Sequence, residues 1–349
     1  MNLIVKMKMK KLFIFFFAAI LILCCAVPAL AAPAQTEQAA SVESFDDCLR
    51  ALFGRVFEKI KSRFASVKYY IAVKKEGVPN TMYNNAIHML RSVEDTIGDS
   101  FIITTKDGKV MVIDGGHKFE TEYFIQYLKQ VTGEKVPKVD AWFLSHPHFD
   151  HVEVFYEIAE NRANRVSFDR VLLNFAPLGF YDPVSSEEGA EMIAAFDRIS
   201  KAFPEKVRIL HDGDRFNIGD ALIRVLYTFD PAFDNVNESS CIFRMDLGGK
   251  SVLFTGDAGV RAGGKVLANP EYKALVQCDI CKMAHHGQDG VDKAFYEAVS
   301  PEICLWPTPT WVWNNTNGNL QTLEVRAWMQ EIGVRKHYVA WEGSQVIYL

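Results

Sequence analysis

The segment "SHPHFDH" places His146, His148, Asp150 and His151 close together in the chain. It follows the apolar run "VDAWFL", which predicts a buried strand. An extended backbone points the side chains of His146 and His148 to the same side, whereas Asp150 and His151 begin a segment that predicts a helix. Neutral imidazole and carboxylate are ligands of zinc, and manganese and iron are the alternatives. The spacing therefore predicts a centre for two divalent metal ions.

Two ions need more ligands than this segment supplies, and other predicted strand ends offer them. Asp257 follows the apolar strand in "KSVLFTGDA", where its carboxylate can bridge both ions. His285 and His286 end "CDICKMAHHG", and the spacing leaves open which of them is the ligand. Water shared by two divalent ions gives hydroxide near neutral pH, and Asp150 is expected to orient it. The predicted chemistry is hydrolysis without a covalent intermediate.

The elements that must position these residues predict an α/β fold. "SFIITTKDGKVMVIDGG" predicts a β-hairpin that ends near Asp114. Short apolar segments predict further strands, and they alternate with helical segments such as "TEYFIQYLKQV", "EEGAEMIAAFDRISKAF", "VDKAFYEAV" and "LQTLEVRAWMQEIG". Strands and helices that alternate in this way predict layered sheets covered by helices.

The N-terminal segment is typical of an exported protein. Lysines precede an apolar run from Leu12 to Val27, and "ALA" at 29–31 supplies the small residues of a cleavage site. Residues 1–31 are therefore predicted to be a signal peptide, with an uncleaved membrane anchor as the alternative. Residues 32–84 are predicted to be a linker and an amphipathic helix, and residues 85–349 the α/β domain that carries the metal centre. A secreted or cell-surface location follows.

Composition disfavours a protein that grips long nucleic acid. The chain of 349 residues carries 38 basic and 43 acidic residues, a formal net charge of −5. Loss of the predicted signal removes four lysines and no acid, which leaves 34 basic residues and a charge of −9. Proteins that bind long nucleic acid usually show a basic footprint instead. The composition gives no oligomeric state.

The cysteines do not indicate a disulfide framework. Two of the seven lie in the predicted signal, and the other five are scattered and odd in number. Cys278 and Cys281 form a single CxxC in "VQCDICKMA", which predicts a buried strand. A redox motif or zinc knuckle is the alternative, although no second CxxC completes four thiolates.

"SHPHFDH" resembles the HxHxDH signature of the metallo-β-lactamase superfamily. Four further segments, "TIGDSFIITTKDGKVMVIDGG", "HDGDRFNIGDALIRVL", "NESSCIFRMDLGGKSVLFTGDA" and "KMAHHG", resemble in order the extracellular hydrolase domain of ComEC-type DNA-uptake proteins and its stand-alone secreted relatives. The resemblance extends from about Ile87 to the C-terminus. It implies an αββα sandwich with the metal site at the sheet edge, here with a short N-terminal helical extension.

The resemblance implies a role for each matching residue. The ligands would form two sets, one for each ion, with Asp257 between them: His146 and His148 for the first ion, and Asp150, His151 and His286 for the second. His285 would contact substrate or stand behind the ligands. Asp114 would support the site by hydrogen bonding.

The chain departs from the superfamily pattern at three places. A third histidine for the first ion is absent, as in the ComEC-like branch, where an Asn-x-x-Ser element occupies that region. Asn237 and Ser240 match this element and would, like Asp114, support the site from behind the ligands. Weaker binding of the first ion is implied. Val152 and Glu153 replace the glycines that often follow the signature. "HHGQ" and "NGNLQT" stand where relatives have "HHGS" and "HP", so substrate contacts are expected to differ.

Aromatic residues near the implied site mouth are candidate substrate contacts. They are Trp311 and Trp313 in "LWPTPTWVWNNTNGN" and Tyr181 in "FAPLGFYDP". Such side chains stack on a base or sugar or cage a quaternary ammonium, and packing is the alternative. The remaining histidines have no comparable partners and are expected to be ordinary surface or core residues: His88, His117, His211 and His337.

The preferred function is that of a secreted dinuclear metal-dependent hydrolase, a phosphodiesterase or phosphoesterase acting on a small-molecule or cell-wall substrate. Hydrolysis of a carboxylic ester, lactone or lactam is the alternative within enzymes. The alternative outside enzymes is a cell-surface binding protein with a vestigial metal site. Membrane association is expected only through an uncleaved signal segment.

Overall fold

A computed structural model describes residues 54, 60–177, 179–180, 187–233 and 235–349. The chain divides into two compact units, Met1–Arg63 and Phe64–Leu349. The predicted signal peptide and Tyr181 lie outside the described residues. Within the described ranges, no helix is both long and apolar enough to span a membrane. The strands and helices given below all belong to the larger unit.

The strands of the larger unit are numbered in chain order. They are β1 Ala86–Met89, β2 Ser100–Thr104, β3 Val110–Asp114, β4 Lys138–Val139, β5 Ala141–Phe143, β6 Ser167–Phe168, β7 Val171–Leu173, β8 Val207–Ile209, β9 Arg215–Ile218, β10 Ala221–Tyr227, β11 Ile242–Leu247, β12 Lys250–Phe254, β13 Ile280–Lys282, β14 Ile303–Trp306, β15 Lys336–Val339 and β16 Gln345–Tyr348.

The helices of the larger unit are numbered in the same way. They are α1, of which residues 64–76 belong to this unit, α2 Thr121–Thr132, α3 Phe149–Asn161, α4 Glu187–Ala202, α5 Val260–Ala268, α6 Pro270–Val276, α7 Lys293–Val299, α8 Thr310–Trp313 and α9 Thr322–Ile332. Helix α1 packs on α2, where the rings of Tyr69 and Tyr123 meet edge to face with centroids 6.0 Å apart. The domain boundary at residue 85 stays a prediction.

The strands form two seven-stranded sheets and one small pair, β4-β6. The order of the first sheet is β16-β1-β2-β3-β5-β7-β8, and that of the second is β15-β14-β13-β12-β11-β10-β9. Each sheet is antiparallel in one half and parallel in the other; β3, β5, β7 and β8 are parallel, as are β12 to β15. The parallel halves explain the predicted alternation of strands and helices.

The two sheets pack face to face and carry helices on their outer sides. Phe143 of the first sheet stacks on Phe243 of the second with ring centroids 4.7 Å apart. Along β2, Phe101 and Ile103 join this inner core, whereas Ile102 points into the cluster formed with α2, α3 and α4. The outer cluster of the second sheet includes residues of α5, α7 and α9. The predicted αββα sandwich is confirmed.

Two-sided burial explains why apolar runs predicted these strands. Each fully buried Phe or Ile contributes about 1.5–3 kcal/mol relative to exposure, so both faces of a central strand favour apolar residues. Helix α5 was not predicted, since "VRAGGKVLA" holds two glycines. Its first turn is capped from a distance: the carboxylate of Glu238 accepts hydrogen bonds from the backbone N–H groups of Arg261 and Ala262.

The CxxC cysteines lie in the core, as the strand interpretation predicts. Cys278 and Cys281 are buried and free of disulfide bonds. Burial raises the pKa of the Cys278 thiol to about 12, and it raises the pKa of Cys281 well above its usual value. Thiols with raised pKa values are poor nucleophiles and poor metal ligands. Packing therefore accounts for both residues.

Candidate metal centre

The predicted ligands meet at one edge of the sandwich, where strands of both sheets end. The chain leaves β5 to deliver His146 and His148, and α3 then begins at Phe149 and carries Asp150 and His151. From the second sheet, Asp257 follows β12. The histidines of "AHHG" follow β13 in a short turn, Ala284–Gly287. Ligands far apart in sequence are thus brought together by adjacent strand ends.

His146 and His148 direct ring nitrogens at one point. Nε2 of His146 lies 3.0 Å from Nδ1 of His148 and 3.9 Å from Oδ2 of Asp257. Burial lowers the pKa of His148 to about 4, and burial together with the charge of His151 lowers the pKa of His146 well below its usual value. Both imidazoles are therefore neutral at physiological pH and keep the lone pairs that a metal ion needs.

A second group of donors shares the same Asp257 oxygen. Oδ2 of Asp257 lies 3.2 Å from Nε2 of His151 and 3.1 Å from Nε2 of His286. Nε2 of His286 also lies 3.1 Å from Oδ2 of Asp150. These four buried or largely buried residues offer ligand atoms that all lie within 4.8 Å of one another. The arrangement matches the predicted second set.

The electrostatics of this group favour a cation. Burial alone would lower the pKa of His151 and of His286, but the carboxylate of Asp257, with that of Asp150, raises both well above the usual value. Burial would raise the pKa of Asp257, yet the neighbouring His151 and His286 hold it well below the usual range. Carboxylates this concentrated in the interior need positive charge, which protons or metal ions can supply.

The structure distinguishes the two consecutive histidines. The side chain of His286 is 1% exposed and reaches the donor group, whereas that of His285 is 23% exposed and its Nε2 lies 4.0 Å from Oδ2 of Asp257. Both residues have left-handed backbone, with φ of 48° and 55°. Gly287 follows with φ of 80°, and a Cβ there would lie 2.3 Å from the ring of Trp306. This packing explains the glycine of "HHG".

The residues predicted to support the site contact it. Oδ2 of Asp114 accepts hydrogen bonds from Nδ1 of His151 at 2.9 Å and from Oγ of Ser145 at 2.8 Å. Ser240 Oγ accepts the backbone N–H of Asp257 at 2.9 Å. Nδ2 of Asn237 lies 3.5 Å from Nε2 of His285. The Asp114 contact fixes the ring of His151 so that Nε2 faces the donor group.

Two buried charged residues were missed by the sequence reasoning. Nζ of Lys282 lies 2.5 Å from Oδ2 of Asp99 and 3.3 Å from Oδ1 of Asp257. Oδ1 of Asp99 lies 3.3 Å from Nδ1 of His286. Lys282 was detectable in principle, because a lysine inside the buried strand "ICK" needs a partner. Asp99 has no comparable local signal, since an aspartate after a glycine is typical of a turn.

A cavity of about 360 Å³ opens over the donor group. Its lining comprises Thr96, Ile97, His117, His148, Phe149, Asp150, Asp257, His285, His286 and Trp311. Trp311 therefore lies where a substrate contact was predicted. Trp313 is not brought to this cavity: it packs perpendicular to Trp306 at 5.3 Å, under the guanidinium of Arg326 at 4.1 Å. Phe149 and His117 line the cavity, and neither was predicted as a substrate contact.

The donor set fits divalent metal ions. Imidazole nitrogens and carboxylate oxygens suit zinc, and manganese and iron as well. The group formed by Asp150, His151, Asp257 and His286 supplies two of each donor type. His146 and His148 add two nitrogens beside the shared oxygen of Asp257. Zinc over manganese or iron, and two ions over one, stay predictions.

The sequence of the chain identifies its superfamily. A profile of the metallo-beta-lactamase superfamily matches residues 93–293, more than half of the chain. The chain therefore belongs to the metallo-beta-lactamase superfamily. The αββα sandwich and the resemblance predicted from "SHPHFDH" agree with this assignment.

One relative is similar to half of this chain. ComE operon protein 3 of Bacillus subtilis (strain 168) is 27% identical over 179 residues, which is 50% of this chain and 20% of that protein. This homology is consistent with the ComEC-like branch. The chain thus covers about a fifth of that relative's length.

Solved structures of similar proteins are distant in sequence. The metallo-beta-lactamase fold protein YhfI from Bacillus subtilis is 13% identical, and the match covers 76% of this chain and 99% of that chain with a TM-score of 0.47. Zn²⁺-bound PqqB from Methylobacterium extorquens is 11% identical, with 76% and 100% covered and a TM-score of 0.45.

Proposed function

We propose that the chain is a secreted or cell-surface hydrolase of phosphoesters, most of all phosphodiesters, that works with two divalent metal ions. The observation that carries the proposal is the shared oxygen Oδ2 of Asp257, which two sets of imidazole nitrogens approach at the base of an open cavity. Two divalent ions in these sets would supply an acidified water and would offset the charge that develops on the phosphoryl group.

The protein's own groups define the remaining roles. Asp150 lines the cavity, and its carboxylate is held by Nε2 of His286 at 3.1 Å. In this position Asp150 would orient the attacking water and accept its proton. The exposed part of His285 faces the same cavity and would donate a hydrogen bond to the substrate. None of the described residues that line the cavity is Ser or Cys, so direct attack by water fits the site better than a covalent route.

The cavity lining supports a substrate of low charge. None of the described lining residues is Lys or Arg, whereas Phe149 and Trp311 offer aromatic surface. A polyphosphate or a long nucleic acid would find no side-chain cations there. A small diester with one negative charge and a flat, apolar or quaternary ammonium group would satisfy both features. The predicted signal peptide supports a substrate outside the cytoplasm, such as a cell-wall phosphoester.

Hydrolysis of bis(p-nitrophenyl) phosphate tests the proposal. The purified chain would be reconstituted with Zn²⁺ or Mn²⁺ and compared with His148→Ala and with the matched control His211→Ala, an exposed histidine outside the cavity. We expect turnover that is lost in His148→Ala and kept in His211→Ala. Turnover of p-nitrophenyl acetate or a lactone in place of the diester would favour acyl hydrolysis. A chain that retains no metal would favour a binding protein.

A further inference from the structure

Lys282 is buried directly behind the predicted ligands. Its side chain is 1% exposed, and Nζ lies 2.6 Å from the carbonyl oxygen of Gly256, 2.5 Å from Oδ2 of Asp99 and 3.3 Å from Oδ1 of Asp257. An ammonium group has three donors, so all three have an acceptor within reach. Lys282 is therefore a fully engaged buried cation between two buried carboxylates.

Stability alone is a weak reason for such a group. Removing an ammonium and a carboxylate from water is costly, and a well-packed apolar replacement of a buried pair is often as stable. The carboxylates of Asp99 and Asp257 overcome the effect of burial and raise the pKa of Lys282 above its usual value. A buried charge network that touches a ligand points instead to a positioning role.

The contacts of Lys282 decide which oxygen of Asp257 faces the site. Oδ1 is next to Nζ of Lys282, and the other oxygen, Oδ2, is the atom that approaches the imidazoles of His151 and His286. Without the ammonium, Oδ1 would lose this contact, and the carboxylate would turn more easily about its last torsion, which is broad for aspartate. Lys282 thus holds Oδ1 on its own side and leaves Oδ2 toward the imidazoles, where metal ions would be held.

Asp99 connects the same cation to His286. Its Oδ2 binds Lys282, and its Oδ1 lies 3.3 Å from Nδ1 of His286. The carbonyl oxygen of Pro307 lies 3.1 Å from the same nitrogen. The carbonyl oxygen of Pro307 is the hydrogen-bond partner of Nδ1, and the carboxylate of Asp99 adds negative charge beside it without a hydrogen bond. A proton on Nδ1 leaves Nε2 as the nitrogen that faces Asp150 and Asp257.

We propose that Asp99 and Lys282 form a brace, one connected ion pair that positions two metal ligands at once. Lys282 orients the carboxylate of Asp257, and Asp99 places a negative charge beside Nδ1 of His286. Both are positioning residues, since neither lines the cavity among the described residues. The inference rests on the metal-dependent hydrolysis proposed above, but it concerns how tightly and in what geometry the ions are held, not which bond is cleaved.

Binding of Co²⁺ by the full chain tests the brace separately from turnover. The variants are Lys282→Met, which keeps the length but removes the charge, and Asp99→Asn, which keeps the shape. Lys293→Met is the matched control, because Lys293 forms an exposed pair with Glu331. Affinity would be measured by chelator competition, and ligand geometry by the visible absorption of the bound ions.

We expect Lys282→Met and Asp99→Asn each to lower the affinity for the second Co²⁺ ion by about 10- to 100-fold, which is the usual effect of mutating residues that orient ligands. Each variant should also shift the absorption spectrum of bound Co²⁺. The double variant should lose less than the product of the single losses, because the two residues act through each other. Lys282→Arg should recover part of the affinity. Lys293→Met should match the wild type.

Several results would overturn the brace. Wild-type affinity and spectrum in both variants, with only a lower melting temperature, would make the pair merely structural. Independent, multiplicative losses would show two separate roles. If Lys282→Met does not fold, the test rests on Asp99→Asn, whose folding is checked by circular dichroism before its Co²⁺ affinity is measured. A wild type that binds two ions but cleaves no phosphodiester would reject the proposed substrate and leave the brace intact.

Discussion

Two buried histidine environments of the same domain differ in one respect. His88 on β1 is fully buried, with Nε2 2.8 Å from Oγ1 of Thr81 and Nδ1 3.2 Å from the hydroxyl of Tyr127. Burial lowers its pKa to about 4. His151 and His286 are buried as completely, yet neighbouring carboxylates raise their pKa values.

Burial therefore does not distinguish His88 from His151 and His286; the charge of their neighbours does. Hydroxyl groups satisfy both nitrogens of His88, so this residue needs no cation. Around His151 and His286 lie the carboxylates of Asp99, Asp114 and Asp257. The first environment is complete as folded, whereas the second is suited to a bound cation.

The largest expected effect is a loss of activity when the carboxylate beside His151 and His286 is neutralised. Asp257→Asn removes the charge that both sets of ligands share. Mutation of a residue that merely orients a ligand typically lowers metal affinity or activity about 10- to 100-fold. Loss of a shared ligand should therefore lower kcat/KM on the diester by roughly 1000-fold or more. Asp246→Asn, which breaks a surface pair with Arg224, is the matched control and should keep activity. Equal losses in the two variants would contradict the assignment.

Removal of the metal ions by a chelator should lower the melting temperature through the environment of His151 and His286, and not through that of His88. Ions present at about 100 times their dissociation constant stabilise the fold by about 2.7 kcal/mol per site, which corresponds to a melting temperature about 5–10 °C higher for a domain of this size. Calorimetry with and without chelator measures the shift. The shift should vanish in Asp257→Asn and persist in His88→Gln. A shift of the same size in Asp257→Asn would show that the ions bind elsewhere.

The pH dependence should reveal His88. An unfolded histidine has a pKa of about 6.5, so between pH 6.5 and 4 the unfolded chain binds a proton that the folded chain does not. Stability is therefore present above pH 6.5 and is lost as the pH falls toward 4. His88→Gln should reduce the loss of unfolding free energy between pH 7 and 4.5 by about 2–3 kcal/mol. Urea titrations of both proteins under one metal condition measure the difference, and parallel pH profiles would refute it.

The smallest expected effect concerns the cavity rim. Trp311→Ala should raise KM about 5-fold with little change in kcat, since one aromatic contact is worth about 1 kcal/mol. Trp313→Ala is the control, because Trp313 packs on Trp306 outside the cavity; it should lower the melting temperature and leave KM unchanged. The opposite result for the two tryptophans would place the substrate on the other side of α8.

Local patterns predicted the parts of the molecule that local forces determine. The hairpin of β2 and β3 followed from two apolar runs around "KDGK", and the HxHxDH spacing places four donors through one strand end and one helix start. Asp99 and Lys282 meet only because β13 and the loop before β2 belong to different sheets that pack together. No spacing within one segment indicates such a pair. Helix α5 was missed because of its two glycines, and the residue that caps it, Glu238, also comes from another segment.

A metal ion bound at the shared oxygen of Asp257 would also connect segments that are distant in the sequence. Its ligand partners come from both sheets, and His151 and Asp257 are 106 positions apart in the sequence. A metal ion held by both would close a long loop between the two halves of the sandwich. In the unfolded chain, a cross-link across about 100 residues is worth about 4–5 kcal/mol of loop entropy. The metal centre would therefore act as a reversible cross-link between the two sheets. The rate at which the sheets separate during unfolding would then follow the rate at which the ions dissociate.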